Sequence, residues 1–145
     1  MSVRWDVFVL EQAVPIVLEV DARDFLGSTI HIVASSGGEV VGAARVLVPS
    51  DGTVHEYHVG RVAVRKELRG LGFGKSLMRQ CEEEARVRVP SGQPLRLVLD
   101  AQVQAESFYR SLGYAPTSRP RFFDAGILHQ EMAKETTGSG PDVSD

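Results

Sequence analysis

Between Arg65 and Leu77 the chain reads RKELRGLGFGKSL, with glycines at three alternate positions and a lysine directly behind the last. The segment before it, YHVGRVAV, is rich in β-branched residues, and the one after it, KSLMRQCEEEARVR, repeats apolar residues at i, i+1, i+4 and i+8. Such a passage is a strand, a turn and a helix in succession. Glycine costs about 1 kcal/mol relative to alanine once a helix has begun. It is tolerated where a ligand must come close to the main chain. The unpaired N–H groups of a helix start carry about half a positive charge, so a phosphate suits that position. Arg69 and Lys75 add charge to it. A tight turn without a ligand is the alternative that the spacing leaves open.

Two familiar phosphate loops fail here. The pattern GxxxxGK[ST] needs glycine five residues before Gly74, where Arg69 stands, and GxGxxG needs glycine where Lys75 stands. What remains is R-x-x-G-x-G, from Arg69 to Gly74.

The rest of the chain supplies a frame for this loop. SVRWDVFVLEQ reads as a short helix ended by Pro15, followed by an acidic, loop-like stretch with Glu19, Asp21 and Asp24. IHIVAS and VVGAARVLV read as strands of a hairpin around SGGE. In YHVGRVAV, Val59 and Ala63 face one way and Val62 and Val64 the other, which predicts burial on both faces. The helix after the loop runs to about Arg88. LRLVLDA is a further buried strand, QAESFYRSLG a helix closed by Gly113, and GILHQEMAK a last strand. ETTGSGPDVSD, from Glu135, has too little apolar content to fold and reads as a flexible tail on a single domain spanning residues 1–134. The fold class is α/β in the α+β sense, a mostly antiparallel mixed sheet with one strand–helix–strand passage at its centre.

Composition removes several functions. At 145 residues with 43% hydrophobic and 24% charged side chains, the chain is long enough to bury one ordinary core. A net charge of -3 with scattered basic residues excludes nucleic acid as the expected partner. No apolar run approaches the ~20 residues that cross a bilayer, and the first residues lack the pattern of a signal peptide. The lone Cys81 suits a reducing cytoplasm, and its position beside Leu77, Met78 and Ala85 on one helical face makes it a packing residue. The four histidines sit at no metal-ligand spacing, so no metal is expected.

The loop R-x-x-G-x-G after GRVAV resembles the acetyl-coenzyme A (acetyl-CoA) loop of the GNAT superfamily of N-acetyltransferases. AQVQAESFYRSLGYAP resembles that superfamily's second signature, a helix with phenylalanine-tyrosine that ends in glycine and an aromatic residue. VFVLEQAVP, GRVAV and FFDAGILHQEM extend the likeness, to the ElaA-like subgroup, over Arg4 to Lys134. The resemblance implies a sheet splayed at the cofactor site and flanked by helices. Members of that subgroup carry an extra strand and helix start before VFVLEQ, so a bare sheet edge and a homodimer contact or swapped element there are expected.

The implied reaction moves an acetyl group from acetyl-CoA, as co-substrate, to a small-molecule primary amine by direct attack in a ternary complex. By resemblance Arg69, Gly70, Leu71, Gly72, Phe73, Gly74 and Lys75 hold the pyrophosphate, and the main chain of Val62, Ala63 and Val64 holds the pantetheine. Gln102 and Phe108 join them on the cofactor. Tyr109 is the implied general acid, since a phenol of pKa near 10 keeps its proton at neutral pH; Tyr114 reads as packing. His129 is a base or substrate contact, with Glu56, His58, Asp100 or a water chain as rivals. The resemblance also implies that Glu11, Gln12, Arg45 and Arg61 line the acceptor pocket, with hydrogen-bonded scaffolding as the rival account for all four. Arg61, expected in a buried strand, needs Glu11 or Asp124 as partner, or an anionic part of the substrate. The alternative is a non-catalytic acyl-CoA sensor or assembly module, which would keep the loop but have no use for Tyr109. A nucleotide-phosphate binder is a third possibility, against which the loop spacing argues.

Overall fold

In the computed structural model, which describes residues 2–9, 14–23, 29–49, 55–70 and 72–141, nine strands form one sheet. They are β1 (Ser2–Val9), β2 (Val14–Arg23), β3 (Thr29–Ser36), β4 (Glu39–Leu47), β5 (Glu56–Val64), β6 (Pro94–Gln102), β7 (Ala115–Pro116), β8 (Phe122–Asp124) and β9 (Ile127–Thr137). The order is β1-β2-β3-β4-β5-β6-β9-β7, with β8 also on β9. Among the described strands only β5 and β6 pair in parallel, joined by helix α1 (Phe73–Arg86); α2 (Glu106–Ser111) follows β6. No described helix is long and apolar enough to cross a membrane.

The expected hairpin forms between β3 and β4, turning through Gly37 and Gly38 at positive φ. Ile30, Ile32 and Ala34 of β3 are buried at alternate positions, as a half-buried strand requires. Helix α1 lies on β3, β4 and β5 and buries Phe73, Leu77, Met78, Cys81 and Ala85 against them. Leu95, Leu97, Leu99 and Ala101 of β6 complete this core, and Val98 is buried as well.

Three expectations give way. Ser2–Val9 is a strand, not a helix, and pairs residue by residue with Val14–Arg23, which replaces the acidic loop. The reason is visible in retrospect: Val3, Trp5, Val7 and Val9 alternate with Arg4 and Asp6, and Leu18 and Val20 alternate with Glu19 and Asp21. The sheet edge expected to be bare therefore belongs to β1. Asp24 lies outside the described residues. Second, β9 continues to Thr137, and Gly138 and Gly140 bridge to Ser91 and Pro90, so residues 135–140 are no loose tail. Main-chain bonds hold them, from Ser139 N–H to Arg86 carbonyl and from Gly140 N–H to Val89 carbonyl (both 2.8 Å). A count of apolar side chains misses such bonds.

Third, β5 is not buried throughout. Tyr57 and Val59 are buried, but Arg61 and Ala63 are exposed and Val62 and Val64 half-buried. The parallel pairing of β5 with β6 ends at Val59 opposite Leu99. Beyond it β5 stays on β4, while β6 stays on β9 as far as Gln102 opposite His129. The sheet opens into a wedge between them.

Candidate active site

The wedge places the glycine loop at its mouth. After β5 the chain makes one 3-10 turn, Lys66–Leu68, and enters α1 through Gly70 and Gly72 at φ 87° and 88°. Gly72 is the N-cap residue, no side chain caps the helix, and its first turn contains no acidic residue. The first hydrogen bond into the cap runs from Ser76 N–H to the Gly72 carbonyl, 3.1 Å. Among the described residues no earlier N–H of the helix start has a main-chain partner, the condition for anion binding at a helix start. Arg69 stays exposed, with Nε donating to the Val64 carbonyl at 3.2 Å. At Gly74 the close approach is by the Phe108 ring, which would stand 3.3 Å from any added Cβ.

Together these groups border a cavity of ≈ 490 Å³, with Val62 and Val64 on one side and Phe108 and Tyr109 on the other. Gly70, Gly72, Gly74 and Lys75 line it. Phe73 does not: the residue is 1% exposed and belongs to the core under α1. Leu71 lies outside the described residues. Ser111 and Leu112 also line the cavity; they follow Phe108 by one helical turn, a spacing that carries no chemical signal of its own.

A second cavity, ≈ 740 Å³, fills the wedge proper. Arg45, Arg61, Arg69, Asp100 and Asp124 bring charge to it, and His129 lines it as well. Ala63 and Gln102 line this cavity rather than the first, while Val62, Val64, Arg69 and Tyr109 are common to both. The Gln102 amide oxygen accepts from Gln104 Nε2 at 2.7 Å.

Tyr109 is half-buried, its ring set edge-on to Phe108 (5.0 Å) and Tyr114 (6.2 Å). Burial raises its pKa, and the neighbouring Cys81 raises it further. Tyr114 is 2% exposed and donates to Glu82 at 2.8 Å, a structural role as expected. Cys81 is fully buried, and burial pushes its thiol up to about 12, which leaves no nucleophile at neutral pH.

His129 lies at 2.8 Å from the Ile127 carbonyl through Nδ1. A carbonyl only accepts, so Nδ1 carries the hydrogen and Nε2 of the neutral ring keeps its lone pair. The ring stacks on Phe122 (5.7 Å, 17°), and Arg119 covers Phe122 at 4.2 Å. Arg119 also stands 3.8 Å from Asp100 and 3.2 Å from Glu131. Sequence reasoning passed over Arg119, which sits in a loop without a motif. Of the rival bases, Asp100 lines the cavity; Glu56 and His58 pair with each other at 3.2 Å on the closed part of β5 and do not. Arg61 is exposed and, among the described residues, forms no ion pair with Asp124. Glu11 and Gln12 lie outside the described residues.

A sheet opened between two parallel strands, with an uncapped glycine-rich helix start at the opening, is the frame of an acyl-CoA-dependent N-acyltransferase. Residues 6–136 match the acetyltransferase (GNAT) domain, and the chain belongs to that family. Among its relatives is the Bacillus subtilis uncharacterized N-acetyltransferase YjcF, 38% identical over 92% of this chain and 88% of its own length. Protein ElaA of Escherichia coli is 34% identical over 93% of this chain and 84% of its own length. The crystal structure of Escherichia coli ElaA superposes with a TM-score of 0.63 over 79% of this chain and 73% of that one. An acyl-CoA N-acyltransferase from Pseudomonas aeruginosa, 26% identical, gives 0.62 over 77% and 71%.

Proposed function

We propose that the protein transfers an acetyl group from acetyl-CoA to a primary amine on a small molecule, by direct attack in a ternary complex. The observation that carries this reading is Tyr109: it is a shared wall of the loop cavity and of the charged cavity in the wedge. A thioester passing from one to the other crosses that wall. The residues fit such a co-substrate. The N–H groups behind Gly72, with Arg69 and Lys75, take the pyrophosphate, and the unpaired edge of Val62–Val64 gives the pantetheine amides a strand to pair with. Holding both ends aligns the thioester for attack without further loss of freedom.

In this reading His129 Nε2 removes one proton from the acceptor ammonium, and the amine attacks the thioester carbonyl carbon. A main-chain N–H of the splayed strand steadies the oxyanion. The C–N bond forms and the C–S bond breaks. Tyr109 gives its proton to the departing thiolate and takes back the surplus proton of the new amide nitrogen. The raised pKa of Tyr109 keeps the phenol protonated for this role.

Thermal unfolding of the full chain with acetyl-CoA, coenzyme A or ATP, each alone, tests the reading. A ligand at a hundred times its Kd stabilises by about 2.7 kcal/mol. Selective upward shifts with the two coenzyme A species are expected. Equal shifts with ATP would make the loop a general phosphate site, and no shift with any of them would end the proposal.

A further inference from the structure

The wedge cavity carries more positive charge than an amine acceptor calls for. We infer that the acceptor bears a carboxylate beside its amine, bound by Arg45 and Arg61; this rests on the acetyltransferase reading above. Arg45 sits on β4 opposite Gly60 and lines the cavity, and its Nε is buried with no hydrogen-bond partner among the described residues. A guanidinium nitrogen withdrawn from water in that way costs free energy until an acceptor reaches the group.

Arg61 arrives by a different device. Ala43 pairs with Ala63 and Arg45 with Gly60, so Arg61 and Val62 together oppose Ala44 in a β-bulge. Within the bulge Arg61 is held at φ 53°, a left-handed conformation that non-glycine residues adopt at a cost of roughly 1 kcal/mol or more. The strain falls on the residue whose charge enters the wedge.

Among the described residues, opposite charge in the cavity does not answer both arginines. Asp100 is shared with Arg119 at 3.8 Å, which leaves Asp124, exposed at the end of β8. An acceptor with only an ammonium group would meet two guanidinium groups and repulsion. A carboxylate matches their planar forks, and its charge holds the amine end toward His129 and Tyr109.

The test pairs common amino acids with their amides and with their decarboxylated amines, and reads thiol release from acetyl-CoA. At least a tenfold higher kcat/KM for the carboxylated members is expected. Arg45→Gln and Arg61→Gln should each erase most of that preference through KM, while acetyl-CoA alone still raises the melting temperature. Arg61 is exposed, so its variant remains informative if Arg45→Gln fails to fold. Turnover of amides or plain amines as fast as the acids would overturn the inference and leave the acetyltransferase standing. So would an acetyl-CoA shift without turnover of any acceptor. Neither shift nor turnover would overturn the acetyltransferase reading itself, and the inference with it.

Discussion

Tyr109 and Tyr114 stand five residues apart, have the same side chain, and differ in what surrounds them. Tyr114 is sealed against Glu82, whereas Tyr109 opens on both cavities. Removing the Tyr109 hydroxyl is therefore a test of chemistry with little change in packing. Tyr109→Phe should lower kcat by about 10²-fold, the lower range for a general acid. The acetyl-CoA melting shift should stay as it was; a non-catalytic sensor would lose nothing measurable at all. Because burial raises the pKa of Tyr109, the acid form persists beyond the ordinary value near 10. The alkaline limb of a kcat profile attributable to this group should lie above pH ~10.

Between elements, the Glu82 carboxylate ties α1 to the chain after α2 and to β9. Glu82 of α1 accepts from Tyr114 at 2.8 Å and from Lys134 of β9 at 3.0 Å, and Lys134 also donates to the Leu112 carbonyl at 2.9 Å. These contacts set the end of α2, and with it Tyr109, against α1. The Glu82 side chain is 16% exposed, so losing its cation leaves a poorly solvated charge. Lys134→Met should cost about 2 kcal/mol, below the 3–5 of a fully buried pair. Tyr114→Phe should cost about 1 kcal/mol, because Lys134 still answers the carboxylate. Urea unfolding of the two variants checks the order; equal losses would show that the cation is not the dominant partner.

For the molecule as a whole, the core holds acids that ionise only when it opens. Cys81 releases its proton near pH 9 in the unfolded chain but is pushed up to about 12 in the folded one. Above pH ~9 the unfolded state then binds fewer protons than the native state, and stability falls as pH rises. The fall approaches 1.4 kcal/mol per pH unit for this one group. Tyr109 and Tyr114 have raised pKa values as well and steepen it from about pH 10. Melting temperatures across pH 7–11 should therefore be level with respect to these groups at first and decline beyond pH ~9. Cys81→Ala should flatten the first part of the decline, whatever its melting temperature at neutral pH. An unchanged slope would remove Cys81 from the account.

Local chemistry was readable wherever backbone geometry demanded a particular residue. Gly70, Gly72 and Gly74 announced a loop before a helix, Gly37 and Gly38 a hairpin, and Gly113 a helix end at φ 101°. The resemblance singles out Tyr109 and His129, and both line the wedge cavity. The helix expected before Pro15 gives way to β1 because the period-2 alternation ahead of that proline decides the local structure. The sequence by itself determined the strand–loop–helix unit and the family, since both rest on neighbours along the chain. Only the tertiary structure decided where β5 parts from β6, that Arg61 is strained and exposed, that Arg119 answers Asp100, and that residues 135–140 are tied to the loop after α1. Those features depend on pairings between distant segments, and a linear pattern carries no record of which main-chain groups meet.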